Sequence, residues 1–350
     1  MPESLWDRVA DLPLAVESHA VEHLHAPAPA DRTTLLVRLR GRGAEGLGED
    51  VGGTMIDEDG RFVAAAPDLD LAGDWTLASF VDHLAGHDLW PDPPEWDTAR
   101  RFRNWAFESA ALDLALQQAR VGLAEALRRE TAPVRFVNSL GLGDPPEFEA
   151  VGRRLERYPG LRFKLDAEAT WSPELTARVA DTGAVDVVDF KGRYGLPVED
   201  EAALVAMYEA VLERLDGAIL EDPHDLPRVD ALIEPRAARV SFDAPIAGVH
   251  DVVGAAFGAR IVNVKPSRIG SLRALFDLYA HCDGHGLRMY GGGMGEVGIA
   301  RGQIELLAAL FHPDGPNDVA PSAYNLPALP GGLPESPLVP GPPAPGFRWS

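Results

Sequence analysis

Three carboxylates and a lysine stand at the ends of successive short apolar runs. Asp189 closes Val185-Asp-Val-Val-Asp189, Glu221 closes Ala218-Ile-Leu-Glu221, Asp243 closes Val240-Ser-Phe-Asp243 and Lys265 closes Ile261-Val-Asn-Val-Lys265. An earlier run, Leu161-Arg-Phe-Lys-Leu-Asp166, ends in the same way. Carboxylates brought to one place repel one another unless a cation lies between them. An all-oxygen set favours a hard divalent ion, Mg²⁺ or Mn²⁺, over zinc, which prefers imidazole and thiolate. Asp189, Glu221 and Asp243 are therefore the expected metal ligands. Lys265 falls one interval further on, where a lysine beside a cation in a desolvated pocket can carry a proton. Metal plus lysine suits removal of a proton from the carbon next to a carboxylate, with the cation taking up the enolate charge. The structural alternatives are that each carboxylate caps a helix or pairs with arginine, and that Lys265 forms a salt bridge to Asp243.

These residues need elements that bring them to one place. Positions 189, 221, 243 and 265 are 32, 22 and 22 residues apart, each interval enough for a strand, a helix and two loops. That rhythm is the pattern of parallel βα units. In a closed barrel of such units all strands end at one mouth, where sites are assembled. The repeat starts at Val134-Arg-Phe-Val-Asn138. Helical patterns fill Glu147 to Tyr158, Pro173 to Thr182, Asp200 to Leu215, Arg228 to Pro235, Val249 to Phe257 and Ser271 to His285. Leu287 to Tyr290 reads as strand seven, a turn at Gly291-Gly-Gly293 feeds a helix to Phe311, and Asp318 to Pro321 reads as strand eight. The reading is α/β, a (β/α)7β TIM-type barrel over residues 131–325.

Residues 1–130 form a different, α+β module. Leu14 to His25 and Thr33 to Arg40 alternate apolar and polar residues as an antiparallel pair would, and Gly46 to Val51 leads to a turn at Gly52-Gly53. Helices follow at Thr76 to Leu84 and from about Ala99 to Arg128. From Pro327 onward eight prolines discourage independent structure, so residues 326–350 read as a strap across the N-terminal module.

The 350 residues carry a formal charge of −22, which repels phosphate backbones and anionic lipid and disfavours nucleic-acid and membrane partners. The single cysteine, Cys282, cannot form an internal disulfide and sits in an apolar helical pattern. With no apolar run near 18 residues and no leader at Met1-Pro-Glu-Ser, the expectation is a cytoplasmic protein.

The chain resembles the enolase superfamily, within it the muconate-lactonizing subgroup of o-succinylbenzoate synthases and N-acylamino acid racemases. Gly46-Leu-Gly-Glu49 and Glu108-Ser-Ala-Ala-Leu-Asp-Leu-Ala115 are similar to its capping domain. Leu220-Glu-Asp-Pro223, Val262-Asn-Val-Lys-Pro-Ser-Arg-Ile-Gly270 and Gly292-Gly-Met-Gly-Glu-Val-Gly-Ile-Ala-Arg301 are similar to its barrel motifs. The resemblance implies an N-terminal capping domain, metal ligation by Asp189, Glu221 and Asp243, a catalytic Lys265, and loops at Ala26 to Asp31 and Gly52 to Gly60 closing over a small carboxylate substrate. It also suggests a homo-oligomer.

Departures accompany the likeness. The family's Lys-x-Lys pair is here Lys164-Leu-Asp166, or in another register Arg162-Phe-Lys164; its Asp-x-Asn is Asp189-Phe-Lys191; the acidic residue after the fifth-strand aspartate is Ala244. Arg162, Lys164 and Asp166 are expected on one face of their strand, as are Asp189 and Lys191. Lys191 and Asp166 are then expected to act as a pair in place of the missing lysine, with Lys164 flanking the substrate carboxylate. Tyr290, Glu296 and Asn138 are the expected substrate contacts. His19, His23 and His25 read as a polar strand face rather than a metal cluster, and Gly291 to Gly293 as tight packing or a phosphate cradle.

The leading reading is a metal-dependent enzyme that forms an enolate for racemisation, epimerisation, cycloisomerisation or elimination. A sugar-acid dehydratase would want a histidine where Tyr290 stands, and a non-catalytic carboxylate or metal binder would keep the mouth without turnover.

Overall fold

A computed structural model describes residues 3–26, 28–29, 31–52, 69–90, 94 and 96–349. Gly53 of the expected glycine turn, Pro27 and Ala30 of the first expected substrate loop, residues 53–60 of the second, and Met1 and Pro2 lie outside the described residues.

The N-terminal part opens with α1 (Asp7–Ala10), β1 (Pro13–Val16), β2 (Ser18–Ala26), β3 (Arg32–Gly41), β4 (Ala44–Asp50) and β5 (Gly73–Thr76). The expected hairpin partner of β3 is two strands: β2 pairs with β3, while β1 leaves to pair antiparallel with β5. Strands β2, β3 and β4 make an antiparallel sheet whose apolar residues Leu35, Val37 and Leu39 are buried. Two helices follow, α2 (Leu77–Leu84) and α3 (Thr98–Ala119). The α3 helix lies directly on β4, because Gly46 and Gly48 carry no side chain: a Cβ there would come within 2.1 Å of the Ala110 oxygen and 1.9 Å of the Ala106 oxygen. The single helix expected to Arg128 is broken. Arg120 turns left-handed at φ 58°, and Val121 and Leu123 pair with Gly346 of the C-terminal segment before α4 (Leu123–Leu127) begins.

The rest alternates strand and helix: β6 (Asn138–Leu140), α5 (Glu149–Arg157), β7 (Phe163–Asp166), α6 (Pro173–Asp181), β8 (Val185–Asp189), α7 (Glu201–Arg214), β9 (Ile219–Glu221), α8 (Pro227–Ile233), β10 (Val240–Phe242), α9 (Val249–Val253), β11 (Ile261–Val264), α10 (Pro266–Ile269), α11 (Leu272–His285), β12 (Arg288–Gly291) and α12 (Ile299–Phe311). Strands β6 to β12 form one parallel sheet in chain order, the arrangement that successive βα units build. The expected eighth strand is reduced to two bridges: Asn317 pairs with Phe136 before β6, and Asp318 with Gly292 after β12. One short segment therefore touches both edges of the sheet.

The C-terminal segment is anchored at both ends. Leu338 exchanges backbone hydrogen bonds of 2.8 Å with Val134, while Phe347 N–H reaches Asp113 at 2.8 Å and Arg348 reaches the same carboxylate at 2.9 Å. No described helix is long and apolar enough to cross a membrane.

Candidate active site

Residues level with one another in a parallel sheet point the same way, and alternate residues point oppositely. The register aligns Ser139 with Lys164, Asp166 with Asp189, Asp189 with Glu221, Glu221 with Ser241 and Asn263 with Tyr290. Alternation along β7 puts Lys164 on the same face as Asp166, and along β11 puts Asn263 on the same face as Lys265, so all these residues share the inner face of the sheet. Asp243 and Lys265 follow the last residues of their strands.

Asp189 and Glu221 come together with Asp222, while Asp243 stands near enough to act on both electrostatically, and protein cations sit on these carboxylates. Lys164 is buried, its Nζ lying 2.5 Å from Glu221 Oε1 and 3.1 Å from Asp189 Oδ2. It is thus beneath the mouth, between two of the expected metal ligands, rather than beside a substrate. Lys191 Nζ is 2.5 Å from Asp189 Oδ2 and 3.2 Å from Asp166 Oδ1. Its backbone turns left-handed at φ 54°, which lets its own N–H reach Asp189 Oδ1 at 3.0 Å. Lys265 Nζ lies 2.8 Å from Asp243 Oδ2, Arg268 donates to Asp243 Oδ1 at 2.6 Å, and the Tyr194 hydroxyl donates to Oδ2 at 3.1 Å.

Below this layer the Tyr290 hydroxyl donates to Glu221 Oε2 and lies 2.8 Å from Ser241 Oγ; Asn263 donates to Glu221 Oε1 at 3.2 Å. Tyr290 is fully buried, so it supports Glu221 instead of touching a ligand. Asn138, paired with Phe163, faces the outer side of the sheet and donates to Asn325 Oδ1 at 3.0 Å, an oxygen that also accepts from Arg154 of α5. It also lines the cavity. Glu296 accepts from Ser267 at 3.1 Å and from the Met294 N–H at 2.7 Å, and it lines the cavity. At the glycine turn a Cβ on Gly293 would come 2.0 Å from Glu296 Oε2, and the same carboxylate oxygen accepts the N–H groups of Met294 and Gly295. Arg162 does not join Lys164 and Asp166. A register irregularity between Phe163 and Lys164 leaves it paired with Asp186 at 2.5 Å.

Burial governs the electrostatics. Burial, countered by Lys164 and reinforced by Asp189, Asp243 and Asp222, raises Glu221 to about 8. Burial also raises Asp189, but Lys164 and Lys191 outweigh it and hold that carboxyl down at about 2. Asp243 is likewise held below the usual carboxylate range, because Lys265 and Arg268 overcome its burial. For Lys191, burial and the charge of Lys164 act downward, yet Asp189 and Asp166 prevail and keep the ammonium protonated well above the ordinary lysine value.

Carboxylate oxygens of Asp189, Glu221 and Asp222 lie within 4.8 Å of one another, and all three residues are buried. This donor set suits a hard divalent cation. Asp222 was not expected here, although it stands inside the Leu220-Glu-Asp-Pro223 motif. Its oxygens accept the backbone N–H groups of Asp243 at 2.9 Å and Ala244 at 2.8 Å, which ties the end of β9 to the end of β10. Arg268 also lies within a quoted motif; Tyr194 comes from the loop after β8 and carried no signal. Above the carboxylates opens a cavity of about 800 Å³ lined by Ser139, Lys191, Tyr194, Lys265, Met294 and Glu296 among others.

Comparison with known proteins places this geometry. Residues 7–126 and 130–326 match the N-terminal and C-terminal domain families described as domain of unknown function (DUF8230). The chain is 30% identical over 306 residues to an N-succinylamino acid racemase of Thermus thermophilus, spanning 83% of this chain and 78% of that protein. The muconate cycloisomerase structure from Pseudomonas fluorescens superimposes with a TM-score of 0.68 at 21% identity, covering 97% of this chain and 96% of that one. A dipeptide epimerase from Methylococcus capsulatus, solved with a Mg ion, gives a TM-score of 0.64 at 21% identity over 90% and 88% of the two chains.

Proposed function

Because the chain belongs to the enolase superfamily, and so is an enzyme of that superfamily's lyase and isomerase type, we propose that it moves a proton at the carbon next to a substrate carboxylate. The observation that carries this reading is that Lys265 and Lys191 line one cavity above buried carboxylates, from the ends of β11 and β8, three strands apart in the sheet. Groups so placed address a bound carbon from different sides, the arrangement needed to take a proton from one face and return it to the other. Racemisation or epimerisation fits best. Cycloisomerisation and elimination share the first step.

In this reading residues 317–318 close the sheet as a (β/α)7β barrel, residues 1–130 cap it, and residues 326–350 are a strap. Asp189 and Glu221 would hold Mg²⁺ or Mn²⁺ with Asp243 as third ligand. Asp222 lies closer, but its oxygens hold two backbone N–H groups, whereas Asp243 is held by the side chains of Lys265, Arg268 and Tyr194. The bound cation supplies charge that fixes the substrate carboxylate and offsets what remains when the proton leaves. Lys265 takes the proton. Lys191, kept protonated by Asp189 and Asp166, delivers one from the other side. Tyr194 and Arg268 hold Asp243, and Tyr290 holds Glu221 from below. A dehydratase reading gains no support, since among the described residues no histidine lines the cavity.

The test is α-proton exchange. Protein with Mg²⁺ is incubated in D₂O with pooled N-acylamino acids and other carboxylic acids, and α-deuterium is read by mass spectrometry. Incorporation that vanishes in Lys265→Met supports the reading. If the ion and the acids bind but no acid exchanges, the protein is a binder and the enzyme reading is lost.

A further inference from the structure

A second cavity, of about 690 Å³, lies at the opposite pole of the parallel sheet, where the strands begin. Arg135, Arg162 and Arg288 line it from the starts of neighbouring strands: Arg135 just before β6, Arg162 just before β7, Arg288 as the first residue of β12. The bridges at Asn317 and Asp318 set β12 beside β6, so the arginines occupy one continuous arc.

Their partners are unequal. Arg162 is neutralised by Asp186, with guanidinium nitrogens 2.5 Å and 3.1 Å from Oδ1. The Arg135 guanidinium has no hydrogen bond or ion pair among the described residues, and Arg288 has a single contact of 3.4 Å to the Ala238 carbonyl. Both are exposed to the cavity. Asp314 is the remaining acid in the wall, so the lining carries a net positive charge. The chain has 54 acidic and 32 basic residues, and a cavity of this sign runs against that balance. Residues at the strand-start end of such a sheet serve stability as a rule, but guanidiniums without carboxylate partners add none there.

We propose that this cavity binds the phosphate group of a small phosphate ester as an effector site, apart from the catalytic mouth. The two guanidiniums without a carboxylate partner, Arg135 and Arg288, can address separate oxygens of one tetrahedral dianion, while a planar carboxylate engages a single fork. The volume exceeds a bare phosphate, leaving room for the organic part against Phe136, Pro313 and Pro337. The site does not depend on the proposed reaction.

The experiment titrates full-length protein with inorganic phosphate, glycerol 3-phosphate and succinate, at constant ionic strength, by calorimetry and thermal melting. Wild type and Lys265→Met should both bind glycerol 3-phosphate saturably, with a melting shift of roughly 2 °C or more. Arg135→Ser/Arg288→Ser should weaken it by at least about tenfold while keeping the wild-type circular dichroism spectrum. Arg135→Lys/Arg288→Lys, which keeps charge without the fork, should fall between and decides the matter if the serine pair fails to fold. The proposal is overturned by no saturable binding in wild type, by equal binding in wild type and the arginine variants, by loss in Lys265→Met alone, which would move the anion to the catalytic mouth, or by succinate binding as tightly as the phosphate ester.

Discussion

Glu49 accepts the backbone N–H of Val297 at 2.7 Å although the two lie 248 residues apart. The same carboxylate receives Gly298 at 3.0 Å, Ala300 at 3.2 Å and the Thr34 hydroxyl at 2.8 Å. A residue of β4 thus satisfies the orphan donors at the start of α12, where an anion also meets the positive end of the helix dipole. The loop it anchors carries Gly293, Met294 and Glu296, all on the cavity wall. The antiparallel sheet and the candidate site are therefore joined by one buried side chain.

Glu49→Gln keeps the volume but turns one acceptor into a donor that faces backbone N–H groups. A loss of about 1–3 kcal/mol in unfolding free energy is expected. Guanidinium denaturation with an unchanged m-value measures it, and a variant as stable as wild type would show that α12 needs no anion at its start.

Much of this was legible in the chain, and the limits have physical causes. Apolar runs with charged endings identify strand ends, and alternation puts Asp166, Asp189 and Glu221 on one face. Alternation says nothing of depth: Tyr290 shares that face with Lys265 yet is fully buried, its hydroxyl spent on Glu221. A single register irregularity removes Arg162 from the face it should share with Lys164. Asn138 ends an apolar run like the others, but the sheet turns it outward to Asn325. Tyr194 sits on a loop with no periodicity to read.

Lys191 and Asp166 should behave as a unit. In Lys191→Met the proposed proton donor is gone; in Asp166→Asn it loses a neighbouring charge 3.2 Å away. If the pair serves one step, the double variant slows α-proton exchange no more than Lys191→Met alone, a coupling in the range of about 0.5–3 kcal/mol. Additive losses would mean that the residues act independently.

Metal affinity separates Asp243 from Asp222. Asp243→Asn should weaken Mg²⁺ binding by calorimetry at least about tenfold, since it removes the charge of the proposed third ligand. Asp222→Asn breaks the link to the backbone of Asp243 and Ala244 and should lower the melting temperature first. The reverse pattern would make Asp222 the ligand.

His312 gives the fold a pH limit unrelated to the mouth. It is buried, its Nδ1 lies 2.7 Å from Asn317 Oδ1 and its Nε2 3.3 Å from the Tyr279 hydroxyl. Burial pushes its pKa down to about 4, against a partial upward pull from Asn317. The unfolded chain, with histidine near its ordinary value of about 6.5, then binds more protons than the fold between those two values. Stability is fully present above pH about 6.5 and falls as pH drops towards 4, by about 3 kcal/mol at most. Denaturation midpoints of wild type and His312→Gln, compared at pH 7 and pH 5, isolate the term. Wild type should lose more stability than the variant on acidification, and parallel losses would place the acid sensitivity elsewhere.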